Sequence, residues 1–188
     1  MDIILASSSP RRRELLTMLG LRFDTEAPDV DESRHPDEEP APYVERVARL
    51  KAHAVAGSGR LVVAADTAVV FDGQVLGKPA HPAEARAMLA MLAGETHAVY
   101  TGVAVAAEGM ISSTVERSLV TLLPLTDEEV AGYVATGEPM DKAGGYALQG
   151  LGAVFVESVE GSPTNVIGLP VHTVARLLRA HGVDLLAR

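Results

Sequence analysis

Asp72-Gly73, set between the short runs Ala68 to Phe71 and Gln74 to Leu76, is a two-residue hairpin signal. It commits the middle of the chain to an antiparallel pair. Upstream, strand-like and helix-like segments alternate instead. Ile3 to Ala6 is a short apolar run, Ser7-Ser8-Ser9 is a polar break, and Pro10 suits a first helical position. Leu15, Leu16 and Leu19 follow at helical spacing until Gly20. A second helix is predicted from Tyr43 to Ala56, and Leu61 to Ala65 is a buried-strand candidate ending at Asp66-Thr67. Alternation followed by a hairpin implies an α/β chain built on a mixed sheet rather than a purely parallel one.

The rest of the chain extends this pattern. Pro82 opens a helix over Ala83 to Leu92, and His97 to Ala107 and Met110 to Leu123 are predicted strands around the Glu108-Gly109 turn. Thr126-Asp127-Glu128-Glu129 is a capping-box pattern that starts a helix ending near Gly137. Ala153 to Val159 is a further strand and Val171 to Ala180 the last helix. The acidic, proline-rich stretch Asp29 to Pro42 is expected to be a surface loop. With 188 residues and neither a repeat nor a long linker, one domain spanning 1–188 is expected.

Charge and composition exclude several function classes. A formal charge of -9 opposes a broad face for a nucleic-acid backbone, so no nucleic-acid partner is expected. The absence of cysteine removes disulfides, thiolate metal sites and a cysteine nucleophile. The N-terminal residues lack the pattern of a signal peptide, and no apolar run approaches the roughly 20 residues that span a bilayer. A cytoplasmic protein without a membrane partner is expected. The six histidines are scattered without the spacing of a zinc site.

Five segments carry candidate chemistry. Ser7-Ser8-Ser9-Pro10-Arg11-Arg12-Arg13 places hydroxyls, free backbone N–H groups and guanidinium groups at a helix start. Cations oppose the helix dipole there, so the arginines need another reason, which bound phosphate supplies. The alternative is an ordinary serine cap with solvated arginines. Asp66-Thr67 puts a carboxylate at the end of a buried strand, where it is either catalytic or an Asx-type turn residue. A lone carboxylate is a weak base at neutral pH, and a neighbouring divalent ion makes it adequate.

Gly77-Lys78-Pro79 holds a lysine on a constrained loop, as a phosphate contact or a plain surface residue. In Asp141 to Gly150, paired glycines let backbone approach a ligand closely, and Gln149 offers both a donor and an acceptor to a base edge. Ser162 to Pro170 is a polar loop leading into a helix. The only lysines in the chain are Lys51, Lys78 and Lys142; arginine supplies every other basic side chain. Asp29, Asp31 and Glu32 in the acidic loop are either a solvated face or partners of a magnesium ion bound mostly by phosphates.

Taken in order, these blocks resemble the Maf family of nucleotide pyrophosphatases. The matching segments are Ser7 to Leu16, Asp31-Glu32, Leu50-Lys51-Ala52, Ala65-Asp66-Thr67, Gly77-Lys78-Pro79, Tyr100 to Val103, Asp141 to Gly150 and Asn165 to Pro170. All three lysines fall inside them. The resemblance implies an elongated mixed sheet flanked by helices, with two lobes and a central cleft, as in Maf and ITPase-like folds.

It also implies cleavage between the α- and β-phosphates of a nucleoside triphosphate with a divalent cation, magnesium or manganese. Asp66 would then be the general base, and Ser7, Arg11, Arg12, Lys51 and Lys78 would bind the triphosphate. Glu32 and Glu116 would help Asp66 hold the metal, and Asp141 and Lys142 would lie elsewhere in the cleft. Arg12, Thr67 and Gln149 resemble the dTTP/UTP-hydrolysing branch rather than the 7-methyl-GTP branch, and are the expected specificity residues. A neutral amide matches a pyrimidine's adjacent N–H and carbonyl, whereas a carboxylate only accepts. The resemblance further implies a homodimer and, as a competing reading, a non-enzymatic regulator of septum formation in cell division. Leu122 and Leu123 stand where the family often has an aromatic, which reads as repacking.

Overall fold

The computed structural model describes residues 2–57 and 59–186. Seven strands form one mixed sheet: β1 (Ile3–Ala6), β2 (Phe23–Glu26), β3 (Leu61–Phe71), β4 (Gln74–Leu76), β5 (Thr96–Ala107), β6 (Met110–Leu122) and β7 (Val156–Glu160). Their order is β2-β1-β3-β5-β6-β7, with β4 hydrogen-bonded to β3. The main helices are α1 (Pro10–Met18), α2 (Pro40–Val55), α3 (Pro82–Leu92), α4 (Asp127–Ala135), α5 (Pro163–Ile167) and α6 (Val171–Ala180). The chain divides into two compact units, each assembled from non-contiguous segments. The division therefore leaves no linker for sequence composition to reveal.

The first unit comprises Met1–Thr67, Thr101–Glu116 and Gly168–Arg188. Its β1 pairs in parallel with β2 on one side and with the start of β3 on the other, Ile3 facing both Phe23 and Leu61. A strand so enclosed must be apolar on both faces, which is why Ile3 to Ala6 has no polar alternation. α2 closes over this sheet: Ala48, Ala52 and Val55 pack with Ile4, Ala6, Val62, Ala64, Ala104 and Ala106. Small side chains dominate because backbone comes close. A Cβ on Gly102 of β5 would lie 2.2 Å from the Val44 carbonyl oxygen of α2.

The second unit comprises Ala68–Tyr100 and Arg117–Ile167. Its core gathers Val69, Leu89, Leu92, Leu122, Tyr133 and Phe155, among others. Leu122 is fully buried there, while Leu123 is exposed. The Asp72-Gly73 hairpin forms with Phe71 opposite Gln74. The capping box at Thr126 is complete, with the Glu129 N–H donating to the Thr126 hydroxyl and the Thr126 N–H donating to the Glu129 carboxylate.

Several expectations require correction. The Leu61 strand does not stop at Asp66-Thr67; it continues to Phe71, so both residues lie within an extended strand and not in an Asx turn. The β-branched and aromatic residues Val69, Val70 and Phe71 sustain the ladder. α2 begins at Pro40, inside the stretch read as loop, because proline is as acceptable in a first helical turn as in a loop. Edge strand β2 was not foreseen: Asp24, Thr25 and Glu26 are exposed and dilute its apolar signal, as charges on an edge strand do. The strand expected from Ala153 begins at Val156, and Leu151–Phe155 is a 3₁₀ turn.

Candidate active site

In the first unit, β1 delivers the chain to Ser7, which is buried, and the turn there is closed by the Ser7 N–H donating to the Leu5 carbonyl at 2.9 Å. The Ser9 N–H donates to Ser7 Oγ at 3.2 Å. Ser9 then caps α1, accepting from the Arg12 N–H at 3.5 Å, a weak contact by its length. The serine-cap reading is thus correct for Ser9, while Ser7 has a different task.

That task involves Arg12. Its Nη1 donates to Ser7 Oγ at 3.3 Å, its Nη2 to Thr67 Oγ1 at 3.0 Å, and its Nε to the Gly168 carbonyl at 2.8 Å. Thr67 Oγ1 in turn lies 3.0 Å from Thr101 Oγ1. Burial pushes the Arg12 pKa down from its ordinary value, against the opposing pull of the Asp66 and Glu32 carboxylates. A guanidinium is held cationic regardless. All three of these hydrogen bonds go to neutral oxygens, so a positive charge is stored beside the sheet. These contacts also give Arg12 a reason to stand in the first turn of a helix, against the dipole.

A second cluster surrounds Lys51, which α2 directs inward at 6% exposure. Its Nζ donates to Asp66 Oδ1 at 2.8 Å and to Glu32 Oε2 at 2.7 Å. Asp66 is 7% exposed, whereas the Glu32 side chain is about half exposed. The Tyr43 hydroxyl donates to the Glu32 backbone carbonyl at 3.0 Å, tying the acidic loop to α2. Burial, with Asp66 and Glu32 nearby, raises the Tyr43 pKa and keeps the phenol a donor. The loop is secured again by Arg46, which grips both oxygens of Glu38 at 2.7 Å and donates to the Ser33 carbonyl at 3.0 Å. That grip, working against desolvation, holds the Glu38 carboxyl at about 2.

Two carboxylates sharing one ammonium carry a net negative charge, with hard oxygens suited to a divalent cation. Among the described residues no group of three or more His, Cys, Asp or Glu side chains is placed to hold a metal. Glu32 and Asp66 would supply part of such a cation's oxygen shell, not a cage made by protein alone. Glu116 is engaged elsewhere: it accepts from Thr173 Oγ1 at 2.9 Å and lies 3.4 Å from His172 Nε2.

In the second unit, two of the sequence blocks meet. The Gly144 N–H donates to the Gly77 carbonyl at 3.1 Å, joining Gly77-Lys78-Pro79 to the paired glycines. Gly144 and Gly145 both adopt φ of about 72°, the left-handed region that favours glycine, and a Cβ at Gly144 would meet Val69 at 3.0 Å. Lys78 is exposed. Lys142 pairs with Asp141 at 2.5 Å and donates to the Glu138 carbonyl at 2.6 Å. Gln149 is exposed, on the turn that follows.

The structure thus joins Ser7, Arg12 and Thr67 in one network, and Glu32, Lys51 and Asp66 in another. Sequence reasoning did not single out Tyr43, Glu38, Arg46 or the Gly168 carbonyl, and assigned Thr101 no role. Thr101 and Gly168 both lie within matched blocks, which was the available signal; Tyr43, Glu38 and Arg46 act through contacts that no local pattern encodes.

A family profile described as Maf-like protein matches residues 2–181. The dTTP/UTP pyrophosphatase of Anaeromyxobacter sp. (strain Fw109-5) is 52% identical over 97% of this chain and 91% of its own length. That of Moorella thermoacetica is 51% identical over 99% and 98%, and that of Bacillus cereus (strain AH820) 44% identical over 97% of each.

Proposed function

The chain belongs to the Maf family, and on that footing we propose that it is a nucleoside triphosphate pyrophosphatase acting on dTTP and UTP. The observation that carries this reading is the buried Asp66–Lys51 pair, with Asp66 next on β3 to the Thr67 that Arg12 contacts. Water attacks the α-phosphorus, a new O–P bond forms, the bridging bond to the β-phosphate breaks, and pyrophosphate leaves beside the nucleoside monophosphate. Asp66 orients the water and takes its proton. Lys51 keeps the Asp66 carboxylate in place and offsets charge on the phosphates. Arg12, with Ser7 beside it, and Arg11 and Lys78 supply further positive charge. Preorganised cations of this kind carry most of a phosphoryl-type transfer.

A divalent cation, magnesium or manganese, held by Glu32 and Asp66 would polarise the phosphate oxygens and ease deprotonation of water. Arg12, Thr67 and Gln149 are the specificity residues in this reading. The neutral amide of Gln149 suits a pyrimidine edge, Arg12 holds the Thr67 hydroxyl by donating to it, and rejection of other bases follows from polar groups left unpaired. The cellular role is removal of unwanted nucleotides from the pool, in the cytoplasm. No helix among the described residues is long and apolar enough to cross a membrane.

The test is pyrophosphate release from a panel of triphosphates with magnesium, using wild type and Asp66→Asn. Release from dTTP and UTP well above GTP and 7-methyl-GTP is expected, falling about 10²- to 10⁴-fold in the variant. No release by folded wild-type protein would overturn the enzyme reading.

A further inference from the structure

Glu138 has no place in the chemistry above, yet its carboxylate is the most heavily engaged in the second unit. Tyr133 donates its hydroxyl to Oε1 at 2.9 Å, the Gly152 N–H donates to Oε1 at 2.9 Å, and the Leu151 N–H donates to Oε2 at 3.0 Å. Burial opposes its ionisation, but these three donors outweigh it and hold the carboxyl below its ordinary range. The two amides open the 3₁₀ turn Leu151–Phe155, so Glu138 ties down the start of that turn. Gly150 has φ of 106° and lies so close that a Cβ there would be 2.8 Å from Glu138 Oε2. A Cβ on Gly152 would be 2.5 Å from the Tyr133 hydroxyl. The turn backbone thus lies close against Glu138 and Tyr133, with no space for a side chain at Gly150 or Gly152.

The residue at the head of this pinned turn is Gln149, exposed and next to Gly150. An amide that must align a donor and an acceptor with a base edge needs its backbone fixed, since a misplacement of about 1 Å removes much of the benefit. We propose that Glu138 is a positioning residue for base selection: it holds the Gln149–Gly152 turn so that the Gln149 amide meets the pyrimidine in register. This rests on the reading that Gln149 contacts the base. Tyr133 is its accessory, orienting Oε1. Glu138→Gln is informative because it keeps the size but turns an NH₂ group toward one backbone N–H, donor against donor.

The experiment measures kcat and KM for dTTP, UTP and GTP in wild type, Glu138→Gln, Glu138→Ala, Tyr133→Phe, Gln149→Ala and the double variant Glu138→Ala/Gln149→Ala. Hydrogen exchange over residues 149–152 is followed in parallel. The ratio of kcat/KM for dTTP over GTP should fall about tenfold in both Glu138 variants, through KM for dTTP rather than kcat. Exchange at Leu151 and Gly152 should accelerate, Tyr133→Phe should show a smaller effect of the same kind, and the double variant should be no worse than Gln149→Ala alone. If Glu138→Ala does not fold, Glu138→Gln and Tyr133→Phe make the same comparison.

A ratio unchanged despite faster exchange overturns the proposal. So do effects that multiply in the double variant, or an equal fall for every nucleotide. Loss of preference in the Glu138 variants with none in Gln149→Ala would overturn Gln149 as the base reader, and with it the route by which Glu138 acts.

Discussion

The ammonium of Lys51 lies 2.8 Å from Oδ1 of Asp66, and both side chains are more than nine-tenths buried. The same ammonium reaches Glu32 at 2.7 Å, but that carboxylate is about half exposed. Two ion pairs within 0.1 Å of each other in length therefore differ in their energetic weight, because solvent screens only the second.

Lys51→Met should leave Asp66 buried without its cation and destabilise the protein by about 3–5 kcal/mol at neutral pH. Glu32→Gln should cost less than about 1 kcal/mol. Chemical denaturation of both variants checks this, and equal losses would refute the distinction.

Chelation of divalent cations by EDTA should stop pyrophosphate release while leaving Tm within error of the untreated protein. The reason is that Glu32 and Asp66 form no cage that folding requires to be filled. Calorimetry with and without EDTA, beside the activity assay, reads both halves; a large fall in Tm would reveal a structural metal.

His97, 2% exposed, has its Nε2 2.7 Å from the Tyr146 hydroxyl, while its Nδ1 is buried without a hydrogen-bond partner. Burial pushes its pKa down to about 4, from an ordinary 6.5. The unfolded chain thus binds the extra proton first, and stability present above the unfolded value is lost as pH falls from 6.5 toward 4. The loss is on the order of 3 kcal/mol. His97→Gln should flatten this part of the stability profile, measured by urea denaturation between those limits. An unchanged slope would assign the acid sensitivity elsewhere.

Gly102→Ala should be severe, since its Cβ would meet the Val44 carbonyl at 2.2 Å and neither backbone can withdraw freely. A loss of about 3 kcal/mol or more is expected, the upper end for overpacking. Gly132→Ala is the control: it stands in α4 with nothing within 4 Å of the new methyl, and should stabilise by roughly 0.5–1 kcal/mol. Denaturation midpoints should move in opposite directions.

Much of the fold was legible locally. The Asp72-Gly73 turn, the Thr126–Glu129 box and the unbroken apolar run of β1 each state their structure within a few residues, because turn dihedrals, caps and burial on two faces are near-neighbour effects. β2 and the 3₁₀ turn at Leu151 were not legible, since the first is an exposed edge and the second is held by Glu138 from 13 and 14 positions away.

The sequence by itself determined the α/β alternation with its hairpins, the scarcity of lysine and the candidate residues, since composition and periodicity are properties of the chain alone. Only tertiary structure decided which of those residues act together. Lys51 meets Asp66 across 15 positions, Arg12 meets Thr67 across 55, and Arg12 meets the Gly168 carbonyl across 156. Such contacts depend on how β1, β3 and α2 pack, and a buried charge is tolerated only where that packing delivers its partner.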